Sequence, residues 1–180
     1  MRPRSRQFLI VLLAAPLHAA DTPPPLIAAG ATHRDGFSVR LPNGWSIDDA
    51  RAATSRTRLL ARAPDRDTDD TGEYQSVFSI TVEDGGSVDG AAQQARLANS
   101  FANYQPTEKP VKATIGGVAG VRIGGTFSLG PLKLRSRQYL VTHGDKIYVL
   151  TFTSLDSVWG KYLPAIEASV GTFTFAAPTK

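Results

Sequence analysis

The chain has 180 residues, among them 20 Lys and Arg, 16 Asp and Glu, three His and no Cys. The missing cysteine excludes disulfides, thiol catalysis, CxxC redox chemistry and thiolate metal sites. Three of the 20 basic residues, Arg2, Arg4 and Arg6, crowd the N-terminus and leave 17 against the 16 acids. A near-neutral remainder is a poor nucleic-acid binder, since phosphate contacts need clustered Lys and Arg.

Those arginines open a segment with the three parts of a secretory signal. The apolar run Phe8–Ala15 is too short to span a bilayer, and small residues follow at Ala19 and Ala20. Residues 1–20 are expected to be a signal peptide cleaved after Ala19 or Ala20, giving a periplasmic or secreted product. No cysteine offers a lipid anchor, and no later run is apolar enough for a membrane span. Residues 21–34 contain Pro23, Pro24 and Pro25 and read as an extended tether. Residues 35–176 read as a single domain, and 177–180 as a tail.

Within the domain, Phe37, Val39 and Leu41 alternate with polar residues and stop at Pro42-Asn43-Gly44. Trp45 and Ile47 resume beyond that turn. Further strands are predicted over Thr57–Ala63 and Gln75–Glu83. Ser87 is the expected N-cap of a helix, with Asp89 in its first turn and an apolar stripe of Val88, Ala91, Ala95, Ala98 and Ala102 beside Phe101. Three strands then follow: Ala119–Phe127, Arg135–Val141 and, after a turn at His143-Gly144-Asp145, Lys146–Thr153. The last is apolar on both faces and should lie centrally under a helix. Short links between these strands demand antiparallel pairing. A closing helix over Asp156–Val170 carries Val158, Trp159, Tyr162, Leu163, Ile166 and Val170 on one face, with Pro164 expected to kink or restart it. Thr172–Phe175 adds a short strand. The fold class is α+β, a central antiparallel sheet flanked by helices.

Three segments carry a family resemblance. The opening Phe37–Trp45 (FSVRLPNGW), the central Gly116–Phe127 (GGVAGVRIGGTF) and the closing Tyr162–Phe175 (YLPAIEASVGTFTF) resemble, in order and spacing, PsbP/DcrB-like domains. The resemblance implies an α/β/α sandwich and covers most of the domain. It also implies a binding role, because characterised members mostly bind proteins and share no catalytic constellation. Fold alone does not fix the function.

Candidate chemistry is sparse. His18 lies in the signal and His33 in the tether, which leaves His143 at a turn. A serine hydrolase would need Ser128 with His143, but the G-x-S-x-G elbow is absent. Asp65, Asp67 and Asp69 match the first ligand positions of a calcium loop. Asp70 stands where glycine is needed and Ser76 where a closing glutamate is needed, so no tight calcium site is expected. Gly116, Gly117 and Gly120 precede a strand and read as a turn, not as a phosphate cradle. Trp45 and Trp159 read as core anchors. Arg58 and Arg62, with Lys133, Arg135 and Arg137, could form a basic face for a partner.

The sequence therefore points to an exported, non-enzymatic envelope protein without a cofactor, which binds another protein through its surface. Two alternatives stand beside it. One is a carrier of a lipid or other apolar ligand, with a cavity near Trp45 or Trp159; the other is a hydrolase using Ser128 and His143.

Overall fold

A strand that is apolar on both faces is satisfied only when a layer covers each side of its sheet. The computed structural model, which describes residues 27–34, 36–52 and 56–176, meets that demand. Residues 1–20, expected to be a signal peptide, residues 21–26 of the expected tether, residues 35 and 53–55, and the 177–180 tail lie outside the described residues.

In chain order the elements are β1 (Thr32–Arg34), β2 (Phe37–Val39), β3 (Ser46–Ile47), α1 (Asp49–Ala52), β4 (Thr57–Arg62), β5 (Asp67–Asp69), β6 (Gly72–Tyr74) and β7 (Val77–Asp84). Then come α2 (Gly90–Ser100), β8 (Ala102–Ile115), β9 (Val118–Leu129), β10 (Leu132–His143) and β11 (Lys146–Leu155). A 3-10 turn (Asp156–Val158) leads into α3 (Trp159–Gly171), and β12 (Thr174–Phe175) follows.

The main sheet has seven strands in the order β3-β4-β7-β11-β10-β9-β8, so β11 is the middle strand. Every pairing in it is antiparallel. Tyr148, Leu150 and Phe152 of β11 face a cluster completed by Trp159, Tyr162, Ile166 and Val170 of α3. Val149 and Leu155 face the opposite cluster, which includes Leu97 of α2. The two helices thus lie on opposite faces of the sheet. The turn expected after His143 is present, with Gly144 at φ 63° in the left-handed region that glycine tolerates.

Several boundaries differ from the sequence reading. Part of the tether belongs to the fold: Ile27 bridges to Pro42, and β1 pairs with β2, which pairs in turn with β12. Pro164 lies inside a continuous α3 and does not divide it. The N-cap of α2 is Asp89, not Ser87; its carboxylate accepts the Ala91 and Ala92 amides at 2.9 and 3.1 Å. The alanine stripe is exposed, and α2 instead buries Gly90 and Leu97. Leu97 is the only long apolar side chain on the helix, so its burial outweighs a row of single methyl groups. Gly90 allows close approach, since a Cβ there would lie 2.6 Å from Val121 Cγ1.

The largest omission is β8. Its prolines, Pro106 and Pro110, and its charged residues hide a strand from any alternation test. Those are the residues by which an edge strand avoids further pairing.

Candidate functional site

The basic face expected from the strands is not a free surface. Arg135 and Arg137 project from β10 towards α3, which covers them. The Arg137 side chain is only 13% exposed; its Nη1 donates to Glu167 at 2.6 Å, and its Nε lies 3.7 Å from Glu108. Its guanidinium also sits 5.6 Å from the Trp159 ring centroid. Arg135 stands 4.9 Å from the same ring and 3.6 Å from the Asp156 carboxylate. Arg62 is bound to Asp48 at 2.8 Å. Arg58 lines a small cleft with Arg56, Lys146 and Asp84, where Lys146 and Asp84 form an ion pair. Of the five, Lys133 and Arg58 are exposed, and the other three are half-buried. Alternation along β10 revealed that the arginines share a face, but not that a helix covers it.

The acidic segment folds into the β5–β6 hairpin, and its carboxylates bind protein hydrogens. Asp67 accepts from Lys161 Nζ and from the Tyr162 hydroxyl, each at 2.7 Å. Asp69 accepts from the Ser157 hydroxyl at 2.6 Å and from the amide and hydroxyl of Thr71 at 2.8 and 2.6 Å. Asp65 is exposed and does not join them. Among the described residues no three His, Asp or Glu side chains converge on a point where a metal ion could sit. The hairpin therefore fastens the start of α3 to the sheet.

The Ser157 and Thr71 hydrogen bonds hold the Asp69 carboxyl down to about 2, below its ordinary 3.8. A folded-state value below the unfolded one adds stability above about pH 4, and this is lost as the pH falls through about 2. Urea midpoints from about pH 5 to about pH 2 should therefore fall more steeply for the native sequence than for Asp69→Asn. Parallel profiles would show that the Asp69 contacts do not persist in solution.

Ser128 and His143 do not come together. Ser128 of β9 pairs with Lys133 at the start of β10, whereas His143 ends β10. Ten strand residues separate the two ends, about 30 Å at the usual rise. His143 instead stacks on Phe175 at a centroid distance of 4.0 Å. The tryptophans pack as expected of anchors: Trp159 stacks on Phe152 at 4.8 Å, and half-buried Trp45 meets Tyr162 edge-on at 5.7 Å. Both tryptophans thus belong to the aromatic cluster between the sheet and α3.

An open cleft of about 740 Å³ lies elsewhere, on the α2 side of the sheet. Three strands build its floor: Lys112–Thr114 of β8, Ala119–Val121 of β9 and Thr142 of β10. The loop Gly86–Val88, just before α2, forms its wall. Most of the lining is apolar, and Lys112 supplies its one charge. Gly116 and Gly117, at φ 59° and 77°, close the β8–β9 hairpin beside it with a two-residue turn. That Gly-Gly pair between Ile115 and Val118 was the sequence signal for a strand before the turn, and hence for this cleft.

Comparison with known proteins agrees with this architecture. LpqN of Mycobacterium tuberculosis, described as involved in cell envelope biogenesis, superposes with a TM-score of 0.58 at 16% identity, over 84% of this chain and 92% of LpqN. The cyanobacterial PsbP (CyanoP) of Synechocystis also gives 0.58, at 11% identity, over 90% of this chain and all of CyanoP. The fold is PsbP-like. A Pseudomonas aeruginosa protein of unknown function follows at 0.52 and 17% identity, over 82% of this chain and all of that one. No family model matches the chain, and no curated protein matches it in sequence. At such identities the likeness carries the PsbP-like fold and leaves the site to be argued from its own residues.

Proposed function

We propose that this chain is an exported, non-enzymatic binding protein of the bacterial cell envelope, and that a protein partner contacts it at the cleft below α2. The N-terminal signal pattern supports export, and the role of LpqN in envelope biogenesis supports the compartment. Among the described residues no helix is long and apolar enough to cross a membrane.

The cleft is the observation that carries the binding role. It is a concave, mainly apolar surface on the α2 side of the sheet, lined by no His, Asp or Glu among the described residues. The residues with chemical potential lie elsewhere: Asp67, Asp69 and Arg137 hold elements together, and Ser128 and His143 stand at opposite ends of a hairpin.

Ala119 is exposed on the cleft floor, so Ala119→Trp fills the cleft without entering the core. Full-length mature protein is expected to recover its partner from envelope extracts, Ala119→Trp to lose it, and Ala98→Trp on the outer face of α2 to keep it. Equal recovery by all three would remove the cleft from the account, and turnover by the purified protein would remove the non-enzymatic role.

The cleft's volume and apolar lining also suit a small apolar ligand, the carrier reading. Its openness is less suited to that role, since Lys112, Thr114 and Ala119 all remain exposed. Saturable binding of a fluorescent fatty acid, blocked by Ala119→Trp, would favour the carrier.

A further inference from the structure

The floor of the cleft runs out to the free edge of the sheet. β8 is the last strand in the sheet order and, among the described residues, pairs only with β9, so no described strand lies along one side of its backbone. Such an edge attracts unwanted pairing, and proteins guard it with prolines, bulges and covering side chains.

Most of β8 is guarded in these ways. Register shifts interrupt it between Ala102 and Gln105, between Pro106 and Glu108, and between Glu108 and Val111. Pro106 and Pro110 offer no amide. Gln94 of α2 donates to the Glu108 carbonyl at 2.8 Å, and Gly90 of α2 lies against Pro110. From Val111 to Ile115 the prolines, register shifts and α2 contacts stop, and Lys112 is the one charge. The register there is regular, from Val111↔Arg122 to Ile115↔Val118.

The turn fixes which backbone groups face outward. Across a two-residue hairpin turn the flanking pair, Ile115 and Val118, is hydrogen-bonded, and the pairs then alternate. Thr114 and Lys112 fall in non-hydrogen-bonded pairs, so their amides and carbonyls point to the open side. Both residues also line the cleft. The regular stretch of edge and the apolar cleft are therefore one continuous surface.

Two side chains mark what that surface accepts. Lys112 is exposed and has no carboxylate partner among the described residues. Two acids on the adjoining elements are engaged elsewhere: Asp89 caps α2, and Glu108 holds Arg122 at 2.8 Å. Val111, on the other face of the same edge, is 38% exposed; it and Leu129 are the large hydrophobic residues left open among the described residues.

We infer that the partner offers an extended segment that adds as an antiparallel or parallel strand to β8 at Lys112–Thr114, placing an apolar side chain in the cleft and an acidic one against Lys112. This rests on the cleft being the contact surface and adds the chemistry of what binds. Main-chain hydrogen bonds to Lys112 and Thr114 provide the affinity, and alternate side chains provide the selection. The Lys112 ammonium favours glutamate or aspartate over lysine in the segment.

The test uses the purified mature protein, isotope-labelled for NMR, and capped peptides of about seven residues. The first carries valine and glutamate two residues apart, on one face of the extended peptide, with serine between them; the second has lysine in place of the glutamate. Two further versions of the first carry N-methyl groups on one or the other alternate set of amides. The glutamate peptide is expected to shift the amides of Lys112, Thr114, Ala119 and Val121, and to bind about fivefold more tightly than the lysine peptide. Lys112→Glu should reverse that order. One N-methylated version should lose binding while the other keeps it, because an added strand turns only one set of amides towards β8. Equal binding of both methylated versions would overturn strand addition while leaving the cleft as a binding surface. No shift at these four amides with any peptide would overturn the inference; the Ala119→Trp recovery experiment judges the cleft separately.

Discussion

Val149→Asp is expected to leave no cooperatively folded domain at 25 °C. Val149 lies on β11, the middle strand of the sheet, between Thr81 of β7 and Leu140 of β10. It is 6% exposed and packs in a cluster with Leu97, Ile123, Leu140 and Leu155. An aspartate there has no cation in its cluster. Whether it stays charged or takes up a proton, it loses several kcal/mol of hydration. Loss of the valine side chain removes a further ~1.5–3 kcal/mol of burial. Against a typical total of about 5–15 kcal/mol, the sum is enough to unfold a domain of this size. Val149→Ala isolates the packing part and should lower stability by about 2 kcal/mol while keeping a single transition. A sharp thermal transition for Val149→Asp within a few degrees of the native sequence would mean that β11 is not central.

Arg137→Glu is the second large effect, and here the structure reverses the sequence reading. A strand arginine taken as solvated would tolerate charge reversal within about 0.5 kcal/mol. Arg137 is instead held between Glu167 and Glu108 and against Trp159. Reversal would bring three carboxylates together under α3, at a cost of about 3–5 kcal/mol. Adding Glu167→Arg to Arg137→Glu restores one opposite-charge pair and should recover about 1–2 kcal/mol, read as a coupling energy from urea unfolding. A single-variant cost below about 0.5 kcal/mol would return Arg137 to the solvent-facing surface first read from the sequence.

These two positions mark where the sequence is legible. Val149 could be placed because β11 is apolar on both faces, and only a central strand satisfies that pattern. The α3 face could be placed for the same kind of reason: Trp159, Tyr162, Ile166 and Val170 are large, repeat at helical spacing and are buried. Arg137 could not, because alternation tells which face a residue points to and not what lies above that face. The alanines of α2 misled for want of size: Ala91, Ala95 and Ala98 follow the helical period but contribute little to packing and are left outside.

The candidate site was hidden by composition. β8 is a strand by virtue of its pairing with β9, yet Pro106, Pro110, Lys109 and Lys112 make it resemble a loop. The acidic segment erred in the opposite direction. Asp65, Asp67 and Asp69 have calcium-loop spacing, but the last two face Lys161, Tyr162 and Ser157 from another part of the chain. Spacing in sequence sets which carboxylates can meet; the tertiary fold sets what they meet.

The central claim is that a protein partner contacts this chain at the junction of the cleft and the β8 edge. The most direct measurement places a photo-crosslinking amino acid at Thr114, and separately at Ala98 on the outer face of α2, in the full-length protein produced in its native cells. The account predicts one discrete protein adduct from position 114, lost when Lys112→Glu is added, and none from position 98. Adducts of equal yield from both positions, or none from position 114, would contradict it.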